Sequence, residues 1–242
     1  MIRLATVFSG IGAVEAAMQK DKIDYKLVFA CDNGERELQE NEEDVKKLIK
    51  NLSYNKAKKV IDDLYLKTGR PNYMEQSYMA NYKIDKNNFH QDIRFIDGSH
   101  YKNKVDLLVG GSPCQSFSII GKRGGFNDTR GTLFYEYARL ISECEPKVFI
   151  YENVRGMLNH DGGKTWDTIQ NTFKELKYNI FINDDPILNA KDYGIPQNRP
   201  RLFIIGIRED IVLPRNFIFP KKEELKSTLF DYLEDEVDPK YY

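Results

Sequence analysis

Val105-Asp106-Leu107-Leu108-Val109-Gly110-Gly111-Ser112-Pro113-Cys114-Gln115-Ser116-Phe117-Ser118 is an apolar run that empties into a Gly-Pro turn carrying a thiol. A strand ending in such a turn delivers the residues that follow it to the carboxyl edge of a sheet, where open α/β folds bind ligands. A cysteine buried for packing needs no such turn, so Cys114 reads as a nucleophile. The same rhythm extends outward in both directions. Leu4 to Phe8, Lys26 to Ala30, Val148 to Tyr151 and Leu202 to Ile207 are short apolar runs that predict further strands. Between them, an alanine-rich segment (Ala13, Ala16, Ala17, Met18) predicts a helix. Leu133, Phe134, Tyr137, Leu140, Ile141 and Cys144 recur at helical spacing, as do Trp166, Ile169, Phe173 and Leu176. Strands alternating with helices imply an α/β fold, doubly wound on a mostly parallel sheet.

Asp32-Asn33-Gly34, after the second strand, predicts the opening of a long charged helix. Residues 40–88 then interrupt the alternation. Leu38, Val45, Leu48, Ile49 and Leu52 predict one amphipathic helix, and Val60, Ile61 and Leu64 a second, closed by Gly69-Arg70-Pro71. This segment reads as a helical insertion. Its Lys and Tyr content suits contact with DNA or a partner, and a solvated insertion is the simpler reading.

The 242 residues carry a formal net charge of -1, so overall charge selects no partner. Its distribution is more telling. Seven Lys/Arg stand against three acids in 190–222, whereas seven acids stand against Lys226 alone in 223–238. A basic stretch followed by an acidic one reads as a binding surface beside a linker. Cys31, Cys114 and Cys144 are odd in number and lack C-x-x-C spacing, and His90, His100 and His160 are scattered. Disulfide scaffolding and a metal site are therefore not expected. No run approaches the ~18 apolar residues of a membrane helix, and no signal-like segment opens the chain. A reducing, cytoplasmic setting is expected, without membrane partners.

Phe8-Ser9-Gly10-Ile11-Gly12 falls at the first strand-to-helix turn, where glycines let the backbone approach a ligand and expose helix N-terminal amides. In a nicotinamide fingerprint the third small residue would stand at position 15, which is Glu15. An acid there argues against a pyrophosphate and leaves room for a cationic or zwitterionic ligand. Asp32 is placed to accept from ribose hydroxyls, and Asp92 from an adenine amino group. Together they suggest an adenosyl ligand without phosphates, S-adenosylmethionine. A free thiol at neutral pH is only a few per cent thiolate unless the site helps. Glu152 also follows a strand, and a nucleophile with a carboxylic acid suits attack on a conjugated ring. Arg199 and Arg201, at alternate positions before a strand, suit a ring carbonyl and a phosphate.

In their order these motifs resemble a DNA (cytosine-5) methyltransferase of the bacterial restriction–modification type. Phe8 to Gly12 is similar to that family's first cofactor motif, Asp32 and Asp92 to the acids of its second and third, and Gly111 to Gln115 to its Pro-Cys motif. Asp128 to Phe134 resembles its fifth motif, Glu152-Asn153-Val154 its Glu-Asn-Val motif, and Gln197 to Arg201 its Gln-x-Arg-x-Arg motif. The resemblance implies a sheet of the S-adenosylmethionine-dependent, Rossmann-like type and a flipped-out cytosine in double-stranded DNA. Cys114 would add to C6, Glu152 would bond N3 and the exocyclic amine, and Arg201, with Arg199, would hold O2 and the backbone. It further implies cofactor contacts from Phe8, Ser9, Gly10, Ile11, Gly12, Asp32, Asn33, Asp92, Ile93, Pro113 and Leu133. A mobile DNA-binding loop would carry Gln115, Ser116, Ser118, Lys122, Arg123 and Arg130. Residues 1–222 would form the catalytic and cofactor-binding domain of a bacterial or phage enzyme. Residues 223–242 would be an acidic linker towards a target-recognition domain that the sequence does not contain, in a truncated enzyme or one subunit of a split methyltransferase. A tRNA cytosine-5 methyltransferase of the same fold, a non-catalytic scaffold and a nicotinamide oxidoreductase are the alternatives.

Overall fold

The computed structural model describes residues 1–113 and 133–239. Strands β1 (Ile2–Val7), β2 (Tyr25–Cys31), β3 (Phe89–His90), β4 (Leu107–Gly110), β5 (Val148–Val154), β6 (Tyr178–Phe181), β7 (Ile187–Asn189) and β8 (Pro200–Arg208) form one sheet. Its order is β3-β2-β1-β4-β5-β8-β6, with β7 also paired to β8. The pairs among β3, β2, β1, β4 and β5 are parallel, and every pair made by β8 is antiparallel. This is the doubly wound, mostly parallel sheet that the alternation predicts.

Buried strands explain why the runs are largely apolar: helices pack on both sheet faces. Ala5, Val7, Phe29, Cys31, Leu108, Phe149 and Tyr151 pack on one face against α5 (Leu133–Cys144) and α6 (Lys164–Glu175). Leu4, Leu27, Ala30 and Val109 pack on the other, against α1 (Ala13–Lys20) and α4 (Tyr73–Asn81). In α5 the residues at helical spacing, Phe134, Tyr137, Leu140, Ile141 and Cys144, are all fully buried. Among the described residues no helix is long and apolar enough to cross a membrane.

Two expectations fail between β2 and β3. No helix opens at Asp32, because Gly34 and Glu35 both adopt left-handed backbone, with φ of 62° and 55°. The first helix there is α2 (Glu42–Ile49), capped by the Asn41 side chain, followed by α3 (Tyr54–Lys67). Helix α4 has no counterpart in the hydropathy pattern. Its start is set by Asn72, whose Oδ1 accepts from Glu75 N at 3.0 Å, and Tyr78 is its fully buried anchor. Residues 40–88 are thus not merely solvated, since Tyr78 and Tyr82 join the core beneath β1 and β2.

His90, closing β3, is buried between the hydroxyls of Tyr54, at 3.0 Å, and Tyr101, at 2.8 Å. Burial, aided by the charges of Lys58 and His100, pushes its pKa down to about 3. The unfolded chain takes up this proton near pH 6.5, and the folded chain does not until about pH 3. Stability should therefore fall as pH drops through that window, by up to ~1.4 kcal/mol per pH unit from this group. Denaturant unfolding of the wild type and His90→Gln at pH 7 and 4.5 checks this. The variant is expected to lose less stability on acidification, and equal losses would discount His90.

Candidate active site

Strand pairing brings the motifs together. Val7 pairs with Cys31 and with Gly110, Cys31 with His90, and Gly110 with Tyr151. These residues make one row across the sheet, so Phe8, Asp32, Gln91, Gly111 and Glu152 are the next step along its carboxyl edge. Strand β8 runs the other way, which is what carries Arg199 and Arg201 to that edge. Arg201 pairs with Val154 at the end of β5.

A pocket of about 330 Å³ lies there, lined by the Gly111-Ser112-Pro113 turn, by Glu152, Asn153 and Val154, and by Arg199 and Arg201. Residues on β5 alternate: Tyr151 and Asn153 are buried, and Glu152 turns out into the pocket. Its Oε1 lies 2.8 Å from Arg201 Nε. Gly111 makes this possible, because a Cβ on it would stand 2.5 Å from the Glu152 carbonyl oxygen and 2.7 Å from Oε2. The Arg199 amide donates to Asn189 Oδ1 at 2.9 Å, tying the arginine segment to β7. Asn153 is a residue that assigning roles by motif overlooks. Its Nδ2 donates to the Ser112 carbonyl at 3.0 Å and to the Tyr151 hydroxyl at 2.8 Å, pinning the turn that precedes Cys114 to β5. The signal for it was its position beside Glu152 in the Glu-Asn-Val run.

The neighbouring turn after β1 is held by the Asp32 side chain, just past β2, and by the Cys31 main chain at the end of that strand. Phe8 sits at φ 54° and Gly10 at φ 53°. The Gly10 amide donates to Asp32 Oδ2 at 2.8 Å, and Asp32 Oδ1 takes the Gly34 amide at 2.9 Å. The Ser9 hydroxyl bridges Thr6 Oγ1 and the main chain of Cys31. A Cβ on Gly10 would meet nothing within 4 Å, and the Ile11 side chain is 61% exposed. This is the open side of the turn. Asn33 spends its side chain on its own turn, accepting from Glu35 N and donating to Arg36 O. Ile93 is buried in the core, and Leu133 packs against that core.

Three sequence expectations change here. Gly12 is a glycine for an internal reason, since a Cβ there would stand 2.1 Å from the Tyr82 ring. Glu15 does not face a ligand. It is fully buried and takes hydrogen bonds from Thr6 at 2.7 Å and Tyr78 at 2.5 Å, with Oε2 unpartnered among the described residues. Asp92 is not open to a ligand as the sequence suggests. Tyr65 donates to its Oδ2 at 2.5 Å, and Arg94 adds its main-chain amide, Nε and Nη2, filling the carboxylate. Cys114, Gln115, Ser116, Ser118, Lys122, Arg123 and Arg130 lie outside the described residues.

With this geometry in place, comparison with known proteins is decisive. The model of the C-5 cytosine-specific DNA methylases matches residues 2–242. The chain belongs to that family. Among its methylase relatives, the orphan methyltransferase M.SPRI of Bacillus phage SPR is 34% identical over the whole chain, which covers 52% of that protein. The type II methyltransferase M.HhaI of Haemophilus parahaemolyticus is 47% identical over 53% of the chain and 38% of its own length. The chain thus spans about half, or less, of the length of these methylase relatives. A DNMT2 mutant from Spodoptera frugiperda shares the fold, with a TM-score of 0.65 at 19% identity, over 99% of this chain and 62% of that one.

Proposed function

We propose that residues 1–222 are the catalytic and cofactor-binding domain of a DNA cytosine-5 methyltransferase that uses S-adenosylmethionine. The observation that carries this reading is the pocket in which the turn leading to Cys114 meets the Glu152–Arg201 pair, next to a ligand-open turn at Gly10. The residues present fit the cofactor. Asp32 accepts one amide on each oxygen, leaving a lone-pair position on each for a vicinal diol, and Gly10 presents open backbone. When bound, S-adenosylmethionine supplies an electrophilic methyl group. Asp92 joins the site only if Arg94 turns away, and Glu42 Oε2, 3.4 Å from Arg94 Nη1, is positioned to receive it.

The chain's own groups then divide the work. The Cys114 thiolate adds to C6 of the cytosine while Glu152 supplies a hydrogen bond or proton at N3, so the ring is not left to carry the charge at C5 unaided. Arg201, already oriented by Glu152, holds O2, and Arg199 lies near it and the backbone. After C5 takes the methyl group, loss of the C5 proton and expulsion of Cys114 restore the ring and the thiolate. C6 is shielded in stacked DNA, so the base must be flipped into the pocket. Residues 223–239, with Leu225, Leu229, Phe230 and Leu233 exposed among acids, suit a linker or docking segment towards a target-recognition unit. The setting would be the cytoplasm of a bacterium or of its phage-infected counterpart.

Transfer of labelled methyl from S-adenosylmethionine to unmethylated genomic DNA and to tRNA tests this reading. Label in DNA as 5-methylcytosine, and none in tRNA, is expected. Label confined to tRNA would favour the tRNA enzyme, and cofactor binding without transfer a catalytically incomplete subunit.

A further inference from the structure

The helices between β2 and β3 end on the cofactor turns. From α3, the Tyr65 hydroxyl donates to Asp92. From the start of α4, Asn72 Nδ2 donates to the Asp32 carbonyl at 2.9 Å and to Gln91 Oε1 at 3.0 Å. Tyr78 reaches Glu15, which also holds Thr6, and Thr6 holds Ser9. Tyr82, just past α4, donates to the Gly12 carbonyl at 2.7 Å. Two of these contacts are so close that only glycine fits opposite them. A Cβ at Gly12 would strike the Tyr82 ring, and one at Gly34 would stand 2.3 Å from Asn72 Oδ1. Both glycines have left-handed backbone, so the turns and the helices that fill them are matched in shape as well as in hydrogen bonding.

We propose that residues 54–82 are a brace for the cofactor turns and that Tyr82 and Tyr65 are positioning residues for cofactor binding, acting through Gly12 and Asp92. The inference rests on the reading that these turns hold S-adenosylmethionine. It replaces the alternative that the segment serves DNA contact, which its exposed Lys56 and Lys59 would carry. Preorganised turns bind more tightly because less ordering is left to occur on binding. Removing one hydroxyl from the brace should therefore appear in affinity while the ring that fills the core remains.

The test is calorimetric titration of the whole chain with S-adenosylhomocysteine at a temperature where all variants are folded, alongside thermal midpoints and binding of a DNA duplex. Tyr82→Phe and, independently, Tyr65→Phe are expected to raise Kd about three- to tenfold with DNA affinity unchanged. The Lys56→Ala/Lys59→Ala double variant should leave Kd for S-adenosylhomocysteine as it was. Lower thermal midpoints with wild-type Kd in both tyrosine variants would reduce the brace to ordinary packing and overturn the proposal. Loss of DNA affinity with wild-type Kd would overturn it in favour of a DNA surface. A wild-type chain that does not bind S-adenosylhomocysteine would instead defeat the functional reading on which the proposal stands.

Discussion

Glu152→Gln is expected to keep the fold and to slow methyl transfer by about 10²–10⁴. Glutamine has the shape of the carboxylate, so the close approach of Gly111, whose added Cβ would lie 2.7 Å from Oε2, is undisturbed. What is lost is the group that can carry a proton or a negative charge at N3. Stability should change little. The Glu152–Arg201 pair is 32% and 22% exposed on its two sides, and partly solvated pairs contribute at most about 1 kcal/mol. The measurement is single-turnover transfer with saturating S-adenosylmethionine, and unchanged cofactor affinity beside a reduced rate is the expected split. Undiminished rate would remove Glu152 from the reaction and leave it as a tether for Arg201.

Cys114→Ala should abolish transfer while sparing cofactor binding. Ser112 and Pro113 line the same pocket as Glu152 and Arg201, and Asn153 fixes the Ser112 carbonyl, so the turn that leads to Cys114 is held beside the acid and the cation. The other two thiols are controls of a different character. Cys31 and Cys144 are buried, and burial pushes both thiols up, Cys144 to about 12. They are packing groups, and alanine there should cost roughly 1–2 kcal/mol of stability and leave the reaction intact. DNA carrying 5-fluorocytosine provides the measurement, because fluorine cannot leave C5 as a cation and the adduct persists. A denaturant-stable protein–DNA species formed by wild type, Cys31→Ala and Cys144→Ala but not by Cys114→Ala is expected. The same species in Cys114→Ala would assign the nucleophile elsewhere.

The parts of the fold that could be read from the chain are those where local chemistry and global placement agree. Strands of a sheet packed between helices are built largely of apolar residues, so β1, β2, β4, β5 and β8 announce themselves as short apolar runs. Helix α5 does the same through its fully buried row from Phe134 to Cys144. Strand β3, Phe89–His90, is too short to leave a pattern. Helix α4 is anchored by tyrosines that bury a ring and spend a hydroxyl, which hydropathy scores as neither inside nor outside. The misread charged helix at Asp32 shows a local conformation overriding composition, with two consecutive left-handed residues stopping it.

The site divides along similar lines. Glu152 and the arginines are legible because each stands at the end of an apolar run, although the chain does not say that β8 is antiparallel, the fact that makes them neighbours. Asp92 shows the opposite case. Its partner Arg94 stands two residues away in plain view, but only the packed structure reveals that Arg94 and Tyr65 together fill the carboxylate. Glu15 was informative for the wrong reason, as its acidity answers Thr6 and Tyr78.

The direction of β8 also governs the route of everything after it. Because the strand enters at the pocket and leaves at Arg208 on the far rim, the backbone must recross the molecule to return. Residues 209–222 suffice for that at ~3.3 Å per residue. They do return: the Glu223 amide donates to the Asp192 carbonyl at 2.8 Å, Glu223 bridges to Tyr193, and Lys222 lies 3.5 Å from Asp192. The polypeptide is thus moored again a few residues upstream of the arginines, and whatever follows Glu223 sets out from the rim that holds the Glu152–Arg201 pocket and not from the opposite pole.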